Sequence, residues 1–236
     1  MRTLIGMVMV AVLVAGCAEQ QIHRKDGSSS QRDFEMSNLV KTDVDMISEL
    51  TQGEVYKELK LITEKLYRRN PQEYKKAGLP SVEAATARIF EHLDMGKDSP
   101  IALMNWQDNF GIAFQETYNG DRVFAFMAAL TGMVMASYDY KTAFYVTDRL
   151  DPQKLYNCAR NIEVAVWKLS NAKLPNGDKV LVTNSMDGDV QNLSFEREFG
   201  KLIADQDLLA LIIEDRSSRT ITRAIQNATA LRFLPI

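Results

Sequence analysis

The chain has 236 residues, with 28 Lys+Arg against 31 Asp+Glu, 46% apolar content and two cysteines. A quarter charged and nearly half apolar is globular composition, which excludes a disordered or collagen-like chain. A net charge of −3 gives no compositional support for nucleic-acid binding, and two cysteines exclude a disulfide scaffold or a cysteine-based zinc site.

The first segment reads as an address. Met1-Arg2-Thr3 is a short positive start, and Leu4 to Ala15 is an apolar run broken by Gly6. Such a run suits a secretory leader and is too short to span a bilayer. It ends in Val14-Ala15-Gly16-Cys17, an aliphatic residue, two small residues and a cysteine. The segment resembles the bacterial lipoprotein signal at these four positions. That resemblance implies cleavage before Cys17, a diacylglyceryl thioether on its sulfur and a palmitate-type acyl group on the new amine. Ala18, where Asp would favour inner-membrane retention, implies the outer membrane with the body facing the periplasm. The resemblance covers about 20 residues and says nothing of the rest. Removing 1–16 leaves 27 basic against 31 acidic residues.

Residues 17–32 form the expected tether, with Ile22 its one large apolar side chain. Such a stretch buries too little to offset its ordering entropy and would reach ~20 Å as a coil. Residues 33–236 are expected to form one domain. Met36, Val40, Val44 and Ile47 follow helical spacing, and Thr51-Gln52-Gly53-Glu54 fits a capping box that opens a second helix over Val55, Leu59, Ile62 and Leu66. Asn70-Pro71 stops it. Ser81 caps a third helix carrying Val82, Ala85, Ile89 and Leu93, and Ser99-Pro100 opens a fourth, expected to run to Tyr118.

After Asp121, residues 123–138 carry no charge. The run is too short to span a membrane and apolar all round, so it is expected at the centre of the fold. Asp151-Pro152 opens a helix with Leu155, Cys158, Ile162, Val166 and Leu169 inward. Pro175-Asn176-Gly177-Asp178 marks a turn, and 179–183 fits one short strand or hairpin. Ser194 caps a helix to about Asp215, and a last one covers 218–230. The fold class read from this is all-α: an irregular bundle of about eight helices.

Chemistry is sparse. His23 and His92 form no paired-histidine site, and Cys158 lies on an apolar helical face, as a core thiol does. Asp187, Asp189, Gln191 and Glu198 match the oxygen spacing of a calcium loop weakly, because Asn192 replaces the sixth-position glycine. Glu116, Asp121 and Asp139 bracket the apolar helix and are the acids to consider for a cell-wall hydrolase. Phe124, Phe126, Met127 and Met133 could wall an adaptable apolar-ligand site, or pack the core. Tyr138, Tyr140 and Tyr145 suit a groove edge.

These readings lead to a lipid-anchored envelope protein acting as a non-enzymatic scaffold or adaptor, with no cofactor and no resident metal. Its expected partners are the membrane, through the anchor, and envelope proteins. A carrier or chaperone for an apolar ligand is the alternative, and a hydrolase the remote one.

Overall fold

The computed structural model describes residues 22–23, 27, 29–30, 36–184 and 192–230, and of 23, 29–30 and 218–230 the backbone alone. The chain divides at Leu39 into two compact units. In the first, β1 (Ile22–His23) pairs antiparallel with β2 (Ser29–Ser30). A 3-10 turn, Met36–Val40, crosses the boundary.

The second unit holds seven α-helices among the described residues: α1 (Asp43–Arg69), α2 (Pro71–Lys76), α3 (Val82–Phe90), α4 (Trp106–Ala113), α5 (Arg122–Ser137), α6 (Pro152–Asn171) and α7 (Ser194–Ala230). The all-α multi-helix reading holds. None of the described helices is long and apolar enough to cross a membrane. Helix α5 is the hub: nearly every residue of it is buried, and α1, α2, α3, α4 and α6 pack around it. Helix α7 closes the outside, against α1 and α6.

Local chemistry explains each boundary, including those that differ from expectation. The capping box is Thr42–Asp45, not Thr51–Glu54: Thr42 N donates to the Asp45 carboxylate at 2.8 Å while Asp45 N donates to Thr42 Oγ1 at 3.3 Å. The chain then runs through Gly53 without a break, because burial of Gln52 and Val55 outweighs the ~1 kcal/mol that glycine costs a helix interior. Asn70-Pro71 is a junction instead of a stop. Asn70 ends α1, and Pro71 begins α2 at the first helical position, where its missing N–H is no loss.

The expected helix from Ser99 to Tyr118 shrinks to α4. Asn105 is its cap, accepting from Gln107 N at 3.0 Å and Asp108 N at 3.4 Å. Beyond Ala113 the helix cannot continue, because the Arg122 guanidinium takes the carbonyls of Ala113, Gln115 and Tyr118 at 2.7–2.8 Å. Before α4, Gly96 has φ +58°, and a Cβ there would lie 2.7 Å from the Tyr140 carbonyl, so only glycine fits.

Near 179–183 the hairpin is reduced to one bridge, Lys173 to Lys179, with Val180 N donating to Ala172 O. No ladder extends to Val182, because both its backbone groups bond the fully buried Asn70 side chain, at 2.8 and 2.9 Å. The last two expected helices are one. Ser217 Oγ donates to Ile213 O at 3.2 Å, a helical back-bond in place of a cap.

Candidate functional site

A buried polar cluster sits at the N-terminus of α5. Asp121 caps the helix, accepting from Phe124 N at 2.8 Å, and its second oxygen accepts from the Tyr67 hydroxyl at 2.8 Å. Glu73, also buried, accepts from Arg122 N at 2.8 Å and pairs with Lys76 at 2.7 Å. Burial raises the Asp121 carboxyl above its ordinary value, opposed by the Phe124 amide and the Tyr67 hydroxyl; burial and the neighbouring Asp121 push the Tyr67 phenol well above its own. Every oxygen in the pair is committed to a fold contact, so the cluster locks α1 and α2 to the head of the central helix.

The other two acids considered for hydrolysis do not join it. The Glu116 side chain is exposed, and its backbone carbonyl accepts from Arg122 at 3.4 Å. Asp139 ends α5 with φ +54° and pairs with Lys154 at 2.6 Å.

Of the expected calcium loop, Asp187, Asp189 and Gln191 lie outside the described residues. Glu198 lies in the second turn of α7, paired with Lys65 at 3.1 Å and Lys201 at 2.7 Å. Burial alone would raise its carboxyl, but hydrogen bonds from the two lysines hold it below the ordinary value. Cys17 likewise lies outside the described residues.

The four apolar-wall residues share the central helix, and protein fills the space around them. Phe126, fully buried, packs against Phe110 and Phe114 with ring centroids 5.6 and 5.8 Å away. Phe124 is capped by the Arg88 guanidinium 3.8 Å from its centroid, and Met127 and Met133 are buried in the same core. At Gly132 a Cβ would lie 3.4 Å from the Ile101 carbonyl, so the neighbouring segment presses against the helix there. Tyr138 is buried against Phe144. Tyr140 edges a groove of about 780 Å³ with Lys97, Ala102 and Lys141, and Lys41 sits over the exposed Tyr145 ring. Cys158 is buried beside Ser137, and burial pushes its thiol up to about 12.

Two features were not foreseen. Glu58 on α1 faces Asp205, Lys201 and Glu198 of α7, with Glu54 one turn away; burial and these acids raise its carboxyl to about 7. The second is the outer face of the α6–α7 pair. A groove of about 550 Å³ runs between Pro152, Gln153 and Tyr156 on one side and Ala210, Leu211 and Glu214 on the other. Arg160 pins its end, pairing with Asp207 at 2.6 Å and stacking over Tyr156 at 5.0 Å. Further along the outer side of α6 Val164 is open to solvent and Trp167 is 66% exposed, and on α7 the groove-lining Leu211 is open as well. The signal for it was in the sequence. Tyr156, Val164 and Trp167 recur at helical spacing on the side opposite Leu155, Cys158 and Ile162.

Against known proteins, no family model, no curated protein and no solved structure matches the chain.

Proposed function

We propose that this chain is a lipid-anchored cell-envelope protein, attached to the outer membrane through Cys17 and facing the periplasm, that binds envelope proteins as a scaffold or adaptor. Val14-Ala15-Gly16-Cys17 supports the anchor by its match to the lipoprotein signal. The observation that carries the adaptor role is the α6–α7 face. There Pro152, Tyr156, Ala210 and Leu211 line a groove that the Arg160–Asp207 pair borders, and Val164 and Trp167 stand exposed further along α6. Exposed apolar residues gathered on one face, with tryptophan among them and charges at the rim, have the anatomy of a protein-docking site.

A photo-crosslinking residue in place of Trp167 tests the reading in intact envelopes, against one at Lys60 on the exposed side of α1. Discrete protein adducts from position 167 and none from position 60 are expected. Identical adduct patterns at both positions would defeat the adaptor role. Fatty-acid labelling of wild type and Cys17→Ser tests the anchor separately, and equal labelling would defeat it.

A further inference from the structure

Helices α6 and α7 run antiparallel where they meet: Pro152 and Gln153 share the groove with Glu214, and Arg160 pairs with Asp207. Along α6, Tyr156, Arg160, Glu163 and Trp167 succeed one another at helical spacing and form one stripe on the outer side of the helix. Its two ends are exposed aromatic rings, Tyr156 and Trp167, three turns or ~16 Å apart. Its middle is charged. Across the groove, Asp207, Leu211 and Glu214 share a stripe of α7 in the same way.

The charges on this face do not balance. Arg160 serves two carboxylates at once, Asp207 at 2.6 Å and Glu163 at 3.2 Å. Glu214 pairs with no cation among the described residues. The lysines of α6 are engaged elsewhere: Lys154 pairs with Asp139 at 2.6 Å, and Lys168 lies over the Phe110 ring at 5.4 Å. Three carboxylates against one guanidinium repel phosphate, so neither an anionic lipid surface nor a nucleic acid suits this face, and they attract lysine or arginine. Both walls of the groove are helices, whose backbone groups are paired within themselves. An extended peptide has no ladder to join there, and the occupant that fits is a third helix laid along the pair.

We propose that the α6–α7 face takes a basic amphipathic helix of a partner protein. Apolar side chains of that helix, three turns apart, seat on Tyr156 and Leu211 at one end and on Trp167 at the other. Its lysine or arginine residues meet Glu163 between the two anchors and Glu214 beyond the first. Exposed aromatic residues are the anchors that protein interfaces favour, and the charges around them set orientation and choice of partner more than affinity. The inference rests on the adaptor reading above and adds to it the chemistry of the partner; it does not depend on the lipid anchor.

The test uses the native chain and two fluorescein-labelled peptides of ~18 residues, long enough to form a helix in water. One carries leucines along one helical face with lysines beside them; the other has glutamate at every lysine position. Fluorescence anisotropy should show the lysine peptide bound and the glutamate peptide free. With unlabelled lysine peptide, tryptophan emission should move to the blue, a change that Trp167→Phe removes. Glu163→Lys with Glu214→Lys should weaken the lysine peptide by ~10-fold and admit the glutamate peptide, whereas Glu91→Lys, at the exposed end of α3, should leave both unchanged. Trp167→Ala should weaken the lysine peptide by ~10-fold. A lysine peptide that stays free, or that binds the native chain and the double reversal alike, overturns the proposal. So does a glutamate peptide that binds the native chain as well, or a Trp167 emission already blue without peptide, as a second copy on the face would give. After such a result, protein adducts from position 167 in envelopes would leave the adaptor reading standing with a partner of other chemistry. Absence of those adducts would remove the adaptor reading even where the lysine peptide binds.

Discussion

Replacing Glu58 by Gln should stabilise the protein at alkaline pH relative to acid pH. Glu58 Oε2 is buried without a hydrogen-bond partner, among Asp205, Glu198 and Glu54, with Lys201 as the opposing charge. Burial, then Asp205, raise its folded value from 4.5 to about 7, so the folded state favours the neutral carboxyl. The sign follows from linkage: the associated stability is present below 4.5 and is lost as pH rises through 7. A full shift of that size corresponds to ~3.4 kcal/mol, at 1.36 kcal/mol per pH unit. Solvent contact at the half-buried side chain screens it to ~1–2 kcal/mol.

Gln is neutral throughout and carries its own unpartnered polar atoms, whose cost is the same at every pH. The informative quantity is therefore the difference between the Glu58→Gln effect at pH 8 and at pH 5. Urea denaturation at the two pH values should give ~1–2 kcal/mol in favour of Gln at pH 8, or several degrees in Tm for a chain of this size. An effect equal at both pH values, or one favouring Gln at pH 5, would refute the placement of Glu58 in a dehydrated acidic interface between α1 and α7.

Asp121→Ala should cost ~2–4 kcal/mol by chemical denaturation, combining a lost cap with an orphaned Tyr67 hydroxyl. Asp121→Asn should recover part of that, because an amide oxygen still caps. Phe126→Ala, which empties the centre of the aromatic trio with Phe110 and Phe114, should cost ~3–5 kcal/mol, measured the same way. Cys158 should resist a thiol reagent in the folded protein and react at the rate of unfolding, since burial keeps its thiolate population negligible; fast labelling in native buffer would contradict its burial.

Helices were legible where apolar spacing and a local cap agreed. Ser81, Asp121 and Asp151 cap α3, α5 and α6 as their sequence neighbours suggest, and the uncharged run of α5 is buried on all sides. Boundaries went astray where a distant side chain decided them. The end of α4 is set by Arg122, which no reading of 99–118 contains, and the missing strand at 180–182 by Asn70, more than a hundred residues away. A capping-box pattern is a local preference worth ~1 kcal/mol, so Thr51–Glu54 yields to the burial of the continuous helix around it.

Site chemistry was less legible for a related reason. Side-chain type gives the possible donors and charges, but the role depends on which groups burial brings together. Asp121 and Glu198 both looked available for catalysis or metal binding; a tyrosine and a helix amide occupy the first, and two lysines the second. Glu58 is an ordinary exposed-face glutamate by sequence and becomes unusual only because α7 lays three charged groups against it. The α6 ridge is the instructive opposite. Its Tyr156, Val164 and Trp167 are apolar side chains on the face that helical periodicity assigns to solvent, so the violation of the pattern was itself readable. Core-facing apolar residues report folding, because burial within the chain accounts for them. A spaced apolar row on the opposite face has no such account inside the chain, and the surface it forms is where a partner is to be sought.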